Sequence, residues 1–316
     1  MAKIAFLFPG QGSQHAGMGK DIYENNPGAK QRIDSVDDTL GHPLSGLMLN
    51  GPDEQLKRTE NAQPSLLTVS TALFEMLKEN GLKPDYTAGH SLGEYAALVA
   101  AGVIPFSDAV KLVRQRGLFM EEAVPSGVGA MAAVMGVERE ELQAITDSVS
   151  ESGDVVQLAN LNAPGQIVIS GAKEGVEKAG ELAKEKGAKR VIPLQVSGPF
   201  HSKLMQPAQD KLESVLSPVA FHQAEVPVVA NVNAKEETDP EVLKQQLVDQ
   251  VTSPVYWEDT IRRLLELDVT TFVEAGPGNV LSGLVRRVQR RGVNVYAVQD
   301  IESMEKALEK IKKEES

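Results

Sequence analysis

Two glycines flank a serine at a distance of two residues on either side in Ala88-Gly89-His90-Ser91-Leu92-Gly93-Glu94, and no other feature constrains the chain as much. The residues before it, Tyr86 to Gly89, read as a short strand, and the Ala-rich run Glu94 to Ala101 that follows has high helix propensity. A chain passing from strand to helix in so few residues has to turn sharply. The glycines allow that turn and leave the serine hydroxyl standing at the end of a sheet. On spacing alone a plain glycine-rich turn explains the pattern as well as a nucleophile does. The position between strand and helix favours the nucleophile, because a helix N-terminus offers amide hydrogens to developing negative charge. The backbone amide of Leu92 is the first such donor.

The rest of the chain reads as an α/β fold. Ile4 to Phe8 is a short apolar run closed by Pro9-Gly10, expected to form a buried first strand opening into a loop. After Gln63-Pro64, Leu66, Leu67, Ser70, Leu73, Phe74 and Leu77 recur at helical spacing, and Gly81 ends the run. Between Gly129 and Val196 the order becomes strand (130–135), helix (138–150), strand (155–161), strand (166–170), helix (174–186), strand (190–196). This βαββαβ order is that of a ferredoxin-like unit. Strands near 226–230, 271–274 and 293–298 then alternate with helices, as in a parallel sheet covered on both faces. A discontinuous large domain of residues 1–126 and 198–316, with an insertion at 127–197, is therefore expected. The Lys/Glu-rich tail from Lys306 reads as frayed or solvated.

Composition narrows the chemistry. There is no cysteine, so disulfides, thiolate metal sites and a thiol nucleophile are excluded together, and no metal site is expected. Asp and Glu total 44 against 32 Lys and Arg, a formal charge of −12, which gives a nucleic-acid partner no global support. The N-terminal apolar run is too short for a signal peptide or a membrane span, so a cytoplasmic protein with no membrane partner is expected.

A nucleophilic serine needs a second oxyanion donor and a base. Pro9-Gly10-Gln11-Gly12-Ser13-Gln14, after the first strand, is the candidate loop for the donor, and Gln11 the candidate residue. A phosphate loop is a poor alternative, because His15 stands where a G-x-G-x-x-G fingerprint needs glycine. A structural turn remains open. The base has to be sought among His15, His42, His90, His201 and His222. His90 adjoins Ser91, but neighbouring side chains at a strand end point to opposite faces. His201 follows Ser197-Gly198-Pro199-Phe200, where the insertion returns to the main sheet, and is preferred; a merely exposed loop histidine is the competing reading.

Arg116 bears on the substrate. In a helix from about Ser107, taken as its N-cap, to Glu122, Ala109, Leu112, Val113 and Met120 share one face, and Arg116 falls within that stripe while Arg114 points away. A buried arginine needs an anion. An internal pair with Glu94 or Glu121 would serve; so would the free carboxylate of an acyl group, which matches the guanidinium fork.

Together these segments resemble the malonyl-CoA:acyl carrier protein transacylases of fatty acid synthesis and the related acyltransferase domains of polyketide synthases. The resemblance covers nearly the whole chain. It rests on Phe8-Pro9-Gly10-Gln11-Gly12-Ser13-Gln14, Gln63-Pro64, Gly89 to Glu94, Arg116-Gly117, Asn160-Leu161-Asn162, Pro199-Phe200-His201-Ser202 and Glu274-Ala275-Gly276-Pro277-Gly278. It implies an α/β-hydrolase-like large domain with a ferredoxin-like insertion, and malonyl transfer from CoA to the phosphopantetheine thiol of acyl carrier protein through an acyl-serine. It also implies Ser91 as nucleophile, His201 as base, Arg116 as carboxylate clamp and the amides of Gln11 and Leu92 as oxyanion hole. The main-chain carbonyl of Gln250 would orient the histidine. Phe200 resembles the malonyl-selecting form of the polyketide domains, and Gly198-Pro199 departs from common variants. No bound cofactor is implied, CoA entering only as the thioester. A serine thioesterase, or an acyltransferase serving a polyketide synthase, is the alternative. For docking an acidic carrier protein, Arg286, Arg287, Arg290 and Arg291 are candidates, with a solvated helix face as the rival reading.

Overall fold

The computed structural model describes residues 3–125 and 127–314. Residues 1, 2, 126, 315 and 316, including one side of the expected boundary at 126/127, lie outside the described ones. Among the described residues ten strands form two sheets: β1 (Lys3–Phe8), β2 (Tyr86–Gly89), β3 (Gly129–Met135), β4 (Val156–Ala163), β5 (Gln166–Ala172), β6 (Arg190–Pro193), β7 (Val228–Val229), β8 (Glu236–Glu237), β9 (Val269–Ala275) and β10 (Asn294–Val298).

The larger sheet has the order β10-β9-β1-β2-β7-β8 and is parallel except for its last pair. Side chains alternate along β1. Ile4, Phe6 and Phe8 enter a core shared with the helices Thr59–Glu79 and Phe106–Glu122, while Ala5 and Leu7 enter a second core with Trp257, Ile261 and Phe272. Both faces are covered, which explains an apolar run without polar alternation. The smaller sheet is antiparallel in the order β4-β5-β3-β6. Its helices Arg139–Glu151 and Lys173–Glu185 supply Leu142, Ile145, Val176 and Ala179 to a third core. This is the ferredoxin-like arrangement expected from the βαββαβ order.

Three local expectations are corrected. The helix expected after Gln63-Pro64 starts earlier, at Thr59, so Pro64 lies inside it. Proline cannot donate to the carbonyl four residues back; that carbonyl, of Glu60, accepts from Arg114 Nη1 at 3.3 Å instead. The next helix starts at Phe106 after Pro105, and Ser107 provides no cap. The C-terminal tail is a helix, Ile301–Glu314, that buries Met304, Ala307, Leu308 and Ile311. That apolar spacing of three and four residues outweighs the abundance of charge around it. Among the described residues no helix is long and apolar enough to cross a membrane.

Candidate active site

The turn after β2 is built by contact between its two glycines. A Cβ on Gly89 would lie 1.9 Å from the carbonyl carbon of Gly93, and one on Gly93 would lie 2.0 Å from the carbonyl oxygen of Phe8 in β1. Neither position tolerates a side chain. Between them Ser91 is held at φ 52°, a left-handed conformation that costs a non-glycine residue about 1–2 kcal/mol. Three hydrogen bonds from later parts of the chain hold it there. Asn231 Oδ1 accepts from the Ser91 amide at 2.7 Å, Asn231 Nδ2 donates to the Gly89 carbonyl at 2.7 Å, and Gln250 Nε2 donates to the Ser91 carbonyl at 3.0 Å.

His201 Nε2 lies 2.7 Å from Ser91 Oγ, and its Nδ1 lies 2.9 Å from the Gln250 carbonyl oxygen. With a carbonyl as its partner, Nδ1 must carry the hydrogen, which leaves Nε2 as an acceptor facing the hydroxyl. The ring is 3% exposed. Burial, and next the charge of Arg116, push the imidazole down to about 3, so it is neutral at physiological pH. A neutral ring can take the serine proton. The other histidines go elsewhere: His90 Nε2 contacts Asn162 Oδ1 at 2.8 Å and its ring packs on Trp257, while His15 and His222 are exposed.

Arg116, 1% exposed, reaches the same hydroxyl, with Nη2 donating to Ser91 Oγ at 3.2 Å. Nη1 donates to Gln63 Oε1 at 2.8 Å and Nη2 to Gln250 Oε1 at 2.9 Å, while the buried Nε has no acceptor among the described residues. Its hydrogen-bond partners are thus two neutral amides and a hydroxyl, and no carboxylate of the described residues lies in ion-pair range. Glu94 stands one side chain further off, accepting from Gln250 Nε2 and from the Asn231 amide. Burial pushes that carboxyl up to about 7 against the pull of these hydrogen bonds and of Arg116. The internal ion pair considered for Arg116 is not formed; a glutamine separates the charges.

Neither the Gln11 nor the Leu92 amide has an acceptor among the described residues. Both residues line a cavity of about 330 Å³ with Ser91, Arg116 and His201, whose apolar wall includes Met120, Met131, Leu194 and Phe200. Arg286, Arg287 and Arg290 line a separate, more open groove beside β10, where Arg286 donates to the Val295 carbonyl and Arg287 to Gln166 Oε1. Sequence reasoning missed Asn231, the amides of Gln63 and Gln250, and Gln157. Nothing around Asn231 marks it, since its partners in the serine turn, Glu94, Ser91 and Gly89, are 137 to 142 residues away.

Residues 5–314 match the acyl transferase domain family. The chain is 57% identical over 314 residues to the malonyl CoA-acyl carrier protein transacylase of Bacillus subtilis, covering 99% of each chain. It is 46% identical over 304 residues to the protein of that name from Staphylococcus aureus, covering 96% of this chain and 98% of the other. Among solved structures, an acyl carrier protein S-malonyltransferase from Vibrio cholerae superposes with a TM-score of 0.94 at 43% identity, covering 97% of this chain and all of that one. A malonyl-transacylase in complex with its type II polyketide synthase acyl-carrier protein superposes equally well, at a TM-score of 0.94 and 44% identity over 98% of this chain and all of that one. With its serine turn, histidine and buried arginine held in one cavity of that shared fold, the chain belongs to the acyl transferase domain family and, within it, to the malonyl CoA-acyl carrier protein transacylases.

Proposed function

We propose that this protein transfers malonyl groups from CoA to the phosphopantetheine thiol of acyl carrier protein, supplying fatty acid synthesis from the cytoplasm. One observation carries the reading. The Ser91 hydroxyl lies within hydrogen-bond reach of both a neutral imidazole and a buried guanidinium that has no carboxylate partner among the described residues.

Ser91 Oγ attacks the thioester carbonyl as His201 Nε2 takes its proton, and the resulting oxyanion accepts hydrogen bonds from the Gln11 and Leu92 amides. The tetrahedral centre collapses with cleavage of its carbon–sulfur bond, and the departing CoA sulfur takes the proton back from His201. The carrier thiol then gives its proton to the freed imidazole and attacks the acyl-serine, and Ser91 leaves with that proton restored. Arg116 binds the free carboxylate of the malonyl group. An acetyl group would leave the guanidinium unpaired, so this residue selects the acyl chain. The chemistry calls for no bound cofactor or metal, since acid, base and oxyanion donors are all groups of the chain.

Intact-mass measurement after incubation with malonyl-CoA, with and without phosphopantetheinylated carrier protein, tests the reading. The enzyme alone is expected to gain one malonyl group, which moves to the carrier protein when that is added. Release of free malonate in place of transfer would instead indicate a hydrolase.

A further inference from the structure

Gln157 belongs to β4, the edge strand of the smaller sheet, where its neighbours Val156 and Leu158 point into the third core. Its own side chain points the other way and its amide is fully engaged. Nε2 donates to the His201 carbonyl at 3.1 Å and to the Thr252 carbonyl at 3.2 Å, while Oε1 accepts from the Lys203 amide at 3.0 Å. Thr252 follows Gln250 by two residues, and the Gln250 carbonyl is what His201 Nδ1 faces. One side chain therefore ties together the main chains on both sides of the bond that fixes the imidazole's tautomer and direction. His201 needs such support, because its φ of 57° is a left-handed conformation that costs a residue with a Cβ about 1–2 kcal/mol. The same strand is fastened to the loop after Thr252 by Val255, whose amide donates to the Ala159 carbonyl at 2.8 Å and whose carbonyl accepts from the Leu161 amide at 2.9 Å.

We propose that Gln157 is a positioning residue for the transfer reaction, through which the inserted sheet sets the aim of His201 at Ser91. The inference rests on the reading of His201 as the base. Gln157 touches neither the cavity-facing atoms of Ser91 nor Arg116, so its influence falls on the proton transfer and leaves recognition of the acyl carboxylate intact. The charged and titratable groups that face His201 are Arg116 and His90, with Glu94 beyond the Gln250 amide, and Gln157 contacts none of them.

Two substitutions separate aim from bulk. Gln157→Met keeps the length of the side chain and removes every hydrogen bond; Gln157→Glu keeps the acceptor for Lys203 and loses both donors. Single-turnover acylation of Ser91 by malonyl-CoA is expected to fall about ten- to a hundred-fold in both, the scale on which small misplacements act. KM and the preference for malonyl- over acetyl-CoA should stay within about twofold of wild type. The acid limb of kcat/KM should move up toward the ordinary histidine range as the ring loosens. In a His201→Ala background, Gln157→Met should cause no further loss. Wild-type acylation rates in Gln157→Met would overturn the proposal, as would a loss that persists undiminished in the His201→Ala background. Full acylation in His201→Ala alone would remove the base assignment itself, which keeps the two failures distinct.

Discussion

Ser91 draws its proposed reactivity from two contacts of opposite kind, an acceptor at 2.7 Å and a charged donor at 3.2 Å. The acceptor stays neutral because burial and Arg116 both disfavour a proton on His201. The pH dependence follows from that. A base with its pKa well below 6.5 remains competent as pH falls, so kcat/KM for malonyl-CoA should hold its plateau through pH 6.5 and drop only at markedly lower pH. An acid limb centred near 6.5, measured under conditions where the fold is intact, would contradict this environment for His201. The donor sets the substrate. Replacing Arg116 by Ala removes the only group proposed to meet the acyl carboxylate, and a broken buried pair costs roughly 3–5 kcal/mol. Malonyl-CoA turnover should therefore fall by about two to four orders of magnitude, at one order per 1.36 kcal/mol, while acetyl-CoA turnover does not, and parallel kcat/KM measurements would show it.

The elements around the site show what a sequence reveals and what it hides. The turn between β2 and the helix Gly93–Ala100 is a local structure, so its glycines marked it before any contact was known. Its tightness predicts that Gly93→Ala, which would set a methyl 2.0 Å from the Phe8 carbonyl oxygen, forces β1 and the turn apart. Thermal unfolding should show a loss of several kcal/mol, at or beyond the usual 1–3 kcal/mol for overpacking, and acylation of Ser91 should be abolished. The βαββαβ order was equally legible, because strand and helix periods alternate cleanly between Gly129 and Val196. Asn231, Gln63 and Gln157 were not. Each acts through hydrogen bonds to residues tens of positions away or more, and an amide side chain carries no periodicity to betray it. The C-terminal helix was misread for a related reason: composition spoke of charge, while the spacing of Met304, Ala307, Leu308 and Ile311 spoke of a buried face.

At the scale of the molecule, the site imposes opposing pH terms on stability. His201 is depressed in the folded chain, so its contribution is present above pH 6.5 and is lost as pH falls from there toward 3. Glu94 is raised to about 7, so the folded chain binds its proton more tightly than the unfolded one, and stability is lost as pH rises from 4.5 through 7. Between pH 4.5 and 6.5 the two slopes oppose each other. Glu94→Gln should therefore change in stability relative to wild type in one direction only, gaining as pH rises from 4.5 to 7 by up to ~3 kcal/mol, as read by denaturant unfolding across that range. A constant difference would mean that Glu94 is ionised throughout. All of these terms converge on a single hydroxyl, held by parts of the chain as distant as Asn231 and Gln250. Intact-mass analysis of wild type and Ser91→Ala after exposure to malonyl-CoA tests that convergence most directly: wild type should carry one covalent malonyl group and Ser91→Ala none, whereas a malonyl adduct on the Ser91→Ala protein would contradict the account.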